Sequence, residues 1–380
     1  MKVDKEILVI GDIEMGAGNL TDDFISDKTL AELISKFSKI RHPVDLILNG
    51  DTFDFFKCPY FDWNKLTYPR HITAEISQVK LRTIHHAHPK VFQALHGFVK
   101  TPKHNLYFII GNHDFDLLYK EVQHDLKKIL KGHTNVHFSW NYHYEGVYIE
   151  HGHQYDFLNK INFKRFFLSY KGKSILNLPW ITFGLISNFM NVKEEHPFAE
   201  RISNRNLLFS HHRPFLREVS FKAIGYMIKS IIYYPLRHYS DPTYTFPKEL
   251  FRAFYRRIKK LQWDLDRIIP IFKTEKTKIF EENTIHILGH IHEKIVEEKD
   301  GKAIIHPGSW RDEYELDKHG KIHPQPKRYV QILLKGKSLT HKLIELPVKR
   351  KPLQFKEVMA DERKSIQLAA REEGYEPVFY

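Results

Sequence analysis

The chain has 380 residues, 42% of them hydrophobic and 14% aromatic, enough for one large domain or two ordinary ones around a sizeable core. A single cysteine, Cys58, excludes an intramolecular disulfide and a cysteine-rich zinc cluster, so oxygen and imidazole groups must hold any metal, and a reducing, cytoplasmic setting is expected. The formal net charge is +13, and residues 161–283 carry 22 Lys and Arg against 11 Asp and Glu, so most of the excess faces an acidic partner or solvent from mid-chain.

The opening MKVDKEILVIGD runs directly into a strand and lacks the apolar stretch and small-residue cleavage site of a secretory signal. Residues 6–10 form that strand, and Asp12 and Glu14 follow at its end, two positions apart, where their carboxylates can point the same way. A helix carries Leu30, Leu33, Ile34 and Phe37 at i, i+3, i+4 and i+7, with Ser26 or Asp27 as its cap. Residues 44–48 form a second strand that delivers Asn49, Gly50 and Asp51, and a helical stretch over 75–99 leads to a third strand in LYFIIGNHD, residues 106–114. Alternating strands and helices predict an α/β fold with parallel strands.

Beyond Asp114 a helix presents Leu117, Leu118, Val122, Leu126 and Ile129 on one face; a short strand at 136–138 and another at 146–150 lead to His151, Gly152 and His153. Residues 161–283 read as a basic helical insertion, or lid, with one stripe of Ile224, Met227, Ile228 and Ile231 and another of Leu250, Phe254, Ile258 and Leu261. Strand spacing resumes at 284–288 and presents Gly289, His290 and His292; strands at 303–305, 329–334 and 339–344 are expected to build a second sheet. The core thus spans 1–160 and 284–345, and 346–380 is a charged tail with one helix.

Polar groups gather at strand ends, where open α/β sheets place ligands: Asp12, Glu14, Asp51, Asn112, His113, His151, His290 and His292. Carboxylates, imidazoles and a neutral amide suit two divalent first-row ions sharing one carboxylate. Such a pair supports hydrolysis of a phosphate ester without a nucleophilic side chain.

This ordered set resembles the calcineurin-like metallophosphoesterase superfamily, whose blocks D-x-H, G-D, G-N-H-[DE], H and G-H-x-H stand here as Asp12-Ile13-Glu14, Gly50-Asp51, Gly111-Asn112-His113-Asp114, His151 and Gly289-His290-Ile291-His292. The resemblance implies a two-sheet α/β/β/α sandwich, with Asp12, Asp51 and His292 at one metal, Asn112, His151 and His290 at the other, and Asp51 bridging. It implies that His113 contacts the phosphoryl oxygens or the leaving group and that Asp114 orients it. Glu14 departs from the pattern: a harder, anionic ligand than histidine, it favours Mn²⁺ or Mg²⁺ over Zn²⁺, or leaves the first ion weakly held; Mn²⁺ is expected first, with Mg²⁺, Zn²⁺ or Fe as alternatives. GDTFDFF, GNHDFDLL and HGHQYD are most similar to the UDP-2,3-diacylglucosamine hydrolase-like branch, pyrophosphatases of lipid precursors at the cytosolic membrane face, although that branch usually has arginine where His113 stands.

Three functions are therefore weighed: a phosphoesterase or pyrophosphatase acting on a lipid-linked or nucleotide-sugar substrate, a nuclease or cyclic-nucleotide phosphodiesterase whose basic segment tracks a nucleic-acid backbone, and a non-catalytic scaffold. His153, Arg201, Arg205 and Arg213 are candidate substrate contacts, against the alternative of a solvated basic face; His85, His86, His88, His211 and His212 read as surface or helix-face residues rather than ligands. Residues 175–190 are too short and interrupted for the roughly 20-residue span of a bilayer. Their Trp180, Phe183, Leu185, Ile186 and Phe189 beside Lys171 and Lys173 fit either an element docking on an anionic membrane surface or the insertion's own core against Ile224 and Ile228.

Overall fold

The computed structural model describes residues 3–62, 65–131, 134–247, 250, 252 and 268–376. Four parallel strands, β1 (Lys5–Ile10), β2 (Val44–Asn49), β3 (His104–Ile109) and β4 (Val136–Ser139), lie side by side in chain order. Because that order advances in one direction only, right-handed crossovers put every connecting helix on the same face. These are α1 (Asp27–Phe37), α2 (Ala74–Ala87), α3 (Pro89–Val99) and α4 (Lys120–Ile129). The helical stretch expected over 75–99 forms as two helices that part at Pro89, which lacks the amide donor a continuous helix needs. His88, at the break, is not a surface residue: it is fully buried, with Nε2 2.9 Å from Asp22 and Nδ1 3.0 Å from Asp27 at the head of α1. An imidazolium tolerates burial when both nitrogens find carboxylates.

The second sheet contains β5 (Asn141–Tyr144), β6 (Val147–Glu150), β7 (Ile285–Ile287), β8 (Lys294–Lys299) and β9 (Lys302–Pro307), in the order β8-β9-β7-β6-β5, with β7 parallel to both neighbours. The bare face of the first sheet packs on it: Ile7, Val9, Ile47 and Ile109 meet Val147, Ile149, Ile287 and Ile305. On the outer side, Ile268 and Phe272 of the helix Ile268–Glu275 cover Tyr148, Leu288 and Ile304, completing four α/β/β/α layers. That helix falls within the run read as insertion, yet it forms a layer of the core. The strands expected at 329–334 and 339–344 also sit elsewhere. As β10 (Lys327–Lys335) and β11 (Ser338–Leu346) they extend the first sheet, β10 pairing antiparallel with β1. The crossovers leave that edge of β1 open, and β10 closes it while sending Val330, Ile332 and Leu334 into the inter-sheet core.

In the insertion, a hairpin (Phe167–Tyr170 with Lys173–Leu176) precedes a helix beginning Trp180–Gly184, and a longer helix, Arg213–Ile228, continues through further helical turns to Arg237. The stretch 175–190 is interior rather than interfacial: Phe183 and Ile186 join the main core, and Trp180 packs 4.8 Å from the Tyr226 ring. A Cβ at Gly184 would come within 2.7 Å of that ring, so glycine there makes room for an aromatic. The stripe expected to cover Trp180 faces outward instead, with Ile224 57%, Ile228 54% and Ile231 48% exposed. Of the second stripe Leu250 is buried, while Phe254, Ile258 and Leu261 lie outside the described residues. The tail forms two helices, Phe355–Ala360 and Glu362–Glu372, whose Phe355, Val358 and Ile366 pack with Phe198, Ile202 and Tyr314. Among the described residues no helix is long and apolar enough to cross a membrane.

Candidate metal centre

The loops after β1, β2, β3, β6, β7 and β9 converge, and their backbones are strained where they do so. Asp12, Glu14, Asp51, His290 and His292 all have positive φ, between 47° and 78°. For residues with a Cβ this conformation costs on the order of 1–3 kcal/mol each and persists where the surroundings enforce it, typically at functional sites. Glycines permit the approach: a Cβ on Gly50 would strike the His151 imidazole, and one on Gly111 the Asp51 carboxylate.

One group comprises Asp51, His151 and His290, whose ligand atoms lie within 4.8 Å of one another. His151 Nε2 is 3.0 Å from Asp51 Oδ2 and 3.1 Å from Asn112 Oδ1, while its Nδ1 lies 3.0 Å from the Asn49 carbonyl oxygen. With Nδ1–H donated to that carbonyl, the Nε2 lone pair faces the cluster, as in imidazole ligands of metals. His290 is held by Asp156, 3.0 Å from its Nε2, and donates its backbone N–H to Asp12 Oδ1 at 2.9 Å. Asp12 Oδ2 and Asp51 Oδ2 are buried without a hydrogen-bond donor, the condition of oxygens suited to a cation. Two imidazoles, a carboxylate and an amide oxygen fit a divalent first-row ion.

Beside this group, Glu14, Asp51 and His113 form a second one within the same 4.8 Å limit. His292 Nε2 approaches Asp12 Oδ1 at 3.5 Å and Glu14 Oε1 at 3.4 Å, its Nδ1 fixed by Glu313 at 2.8 Å. Sequence reasoning missed two cations here: Lys57 Nζ lies 3.2 Å from Glu14 Oε2 and Arg311 Nη1 3.3 Å from Glu14 Oε1. Arg311 stands in PGSWRDE just after β9, so the same strand-end logic would have found it.

The His113 ring lies 4.0 Å from Phe56, with Nδ1 3.2 Å from Asp54 Oδ1. Asp114, expected to orient His113, instead fastens two loops, taking the N–H groups of Gly111 (2.6 Å) and Thr52 (2.9 Å). Burial, reinforced by the Asp51 charge, raises its carboxyl to about 7. His153 is buried beside the cluster, 5.4 Å from the His151 ring, and burial together with His151 and His290 lowers it well below the usual imidazole range. The expectation for Arg201 is corrected: fully buried, it pairs with Asp312 at 2.7 Å and the Asp22 carbonyl, closed to any substrate. Arg205 is exposed and donates to the Glu200 carbonyl oxygen at 3.2 Å, and Arg213 is exposed at the head of its helix.

No family model and no curated protein matches this chain. Among solved structures it is similar to Vps29 from Entamoeba histolytica, complexed with zinc, at 9% identity and TM-score 0.27, covering 90% of this chain and 98% of that one. It is also similar to a putative 5'-nucleotidase from Staphylococcus aureus (12% identity, TM-score 0.31, 97% of this chain and 58% of that one). A third is a phosphopantetheinyl hydrolase from Mycobacterium tuberculosis (11% identity, TM-score 0.29, 81% and 91%). At TM-scores this low these likenesses carry no argument, and function rests on the site.

Proposed function

We propose that the chain is a metal-dependent phosphoesterase of the calcineurin-like kind, hydrolysing a phosphodiester or pyrophosphate. The observation that carries the reading is the convergence, on strained strand ends of two sheets, of Asp51, Asn112, His151 and His290 with the buried, donor-free oxygens of Asp12 and Asp51. An ion held there, Mn²⁺ before Mg²⁺, Zn²⁺ or Fe, would supply the Lewis acidity that phosphoryl transfer to water requires. The chain's own residues do the positioning: Asn49 and Asp156 fix the two imidazoles, and Asp54 and Phe56 hold His113 at the site's edge. There, 14% exposed, His113 is available to hydrogen-bond a phosphoryl or leaving-group oxygen.

Chelator-stripped protein reloaded with each metal and offered phosphate monoesters, phosphodiesters and nucleotide-sugar pyrophosphates should hydrolyse one of the latter two classes. Bound metal without turnover of any of them supports a scaffold instead, and cleavage confined to nucleic acid supports a nuclease. Asp51→Ala should lose both metal and activity, whereas His113→Ala should keep metal and lose about 10²- to 10⁴-fold in turnover, the usual worth of such a group.

An amphiphilic substrate, met at a membrane surface, is favoured by the outward face of 213–239. Phe221, Ile224, Ile228, Ile232, Leu236 and Tyr239 are exposed there, flanked by Arg217, Lys229 and Arg237. Apolar groups ringed by cations suit an anionic bilayer, each nearby Lys or Arg adding about 1 kcal/mol. Anionic vesicles should capture the protein at low salt and release part of it at high salt; equal capture by neutral vesicles, or none by either, ends this reading.

A further inference from the structure

The two halves of the cluster differ in what already sits on their carboxylates. Around Asp51, His151 and His290, the outward-facing atoms are held by a carbonyl and a carboxylate, and among the described residues no Lys or Arg sits on a ligand atom of this group. Around Glu14, both carboxylate oxygens are taken by fixed cations: Arg311 on Oε1 and Lys57 on Oε2. Neither cation is free to leave. Lys57 is also 3.0 Å from Asp23 and 3.0 Å from Asp54, Arg311 is 2.9 Å from Asp23, and each is 5% exposed. Arg311 Nη1 also lies 3.5 Å from His292 Nδ1, close enough to compete with a dication for the same corner.

We propose that this chain binds one divalent ion tightly, at Asp51, Asn112, His151 and His290, and that Arg311 and Lys57, clasping Glu14, hold fixed positive charge at the neighbouring position in place of a second tight ion. The inference rests on the metal-centre reading above and narrows it from two ions to one. Arg311 and Lys57 are positioning residues in this account, and Glu14 is their anchor rather than a ligand of the tight ion.

The experiment is a titration of chelator-stripped, full-length protein with Mn²⁺, followed by calorimetry and by electron paramagnetic resonance, neither of which depends on turnover. One tight ion with an isolated Mn²⁺ signal is expected, and any second ion should bind about 10- to 100-fold more weakly, the range by which partners of a ligand shift metal affinity. Arg311→Gln should tighten the second event, Arg311→Lys should not, and Glu14→Gln should keep the tight ion. Two ions of equal affinity with an exchange-coupled signal, or loss of the tight ion in Glu14→Gln, would overturn the proposal while leaving the metal centre intact. Binding of no ion at all overturns the metal-centre reading itself. Should Arg311→Gln fail to fold, the wild-type stoichiometry and Glu14→Gln decide the matter alone.

Discussion

Two helices with the same apolar spacing meet opposite fates. In α1, Leu30, Leu33, Ile34 and Phe37 are all buried, none more than 7% exposed. On the helix Arg213–Ile228, Ile224 and Ile228 of the matching stripe stand in the open. Periodicity tells which side of a helix is apolar, but what covers that side is decided elsewhere. α1 is a crossover between adjacent parallel strands, so its apolar side has a sheet beneath it by construction. Among the described residues no such strand pair flanks the insertion helix, and there the side bearing Tyr226, Ser230 and Tyr234 turns inward because Trp180 and Gly184 form a socket for it.

The contrast can be broken at three points. The largest effect is expected where α1 is fastened at its head. His88→Gln leaves Asp22 and Asp27 buried without their cation and should cost about 3–5 kcal/mol in urea unfolding. The same residue sets a pH dependence. Burial disfavours the imidazolium, but Asp22 and Asp27 outweigh it and raise His88 from 6.5 to about 10. A raised folded-state value means that its stabilisation is fully present below pH 6.5 and lost as pH climbs through about 10. Unfolding curves at those two ends should therefore diverge in the wild type and, for this contribution, coincide in His88→Gln. Next comes the buried side of α1, where Ile34→Ala should cost about 2–5 kcal/mol. The smallest effect on stability belongs to Ile228→Ser, within about 0.5 kcal/mol of wild type, because an exposed side chain removed leaves no cavity. Yet Ile228→Ser should weaken capture by anionic vesicles. A loss of stability there comparable to that of Ile34→Ala would mean that the outward face is covered.

What the sequence made legible follows the same division. The strands and the groups beyond them, from Asp12 to His292, could be read because strand length, a glycine turn and the next polar residue are local signals. The wrapping of Glu14 could not. Lys57, Lys193 and Arg311 reach one carboxylate cluster from separate parts of the chain; Arg311 at least follows a strand end, but nothing in the local pattern of Lys57 or Lys193 separates a buried lysine from the solvated majority. Assignment of β10 and β11 to the wrong sheet has a related cause, since alternation fixes a strand's inner side but not its neighbour.

The pairing of β1 with β10 also has a consequence for how the chain is made. β1 emerges from the ribosome with β2 to come on one side, but its other edge waits for a strand encoded about 320 residues later, on the order of tens of seconds at roughly 5–20 residues per second. Throughout that interval the nascent protein carries an open, apolar strand edge that a second nascent chain can join. The exposure of that edge is set by the order of the strands along the chain rather than by the stability of the finished fold.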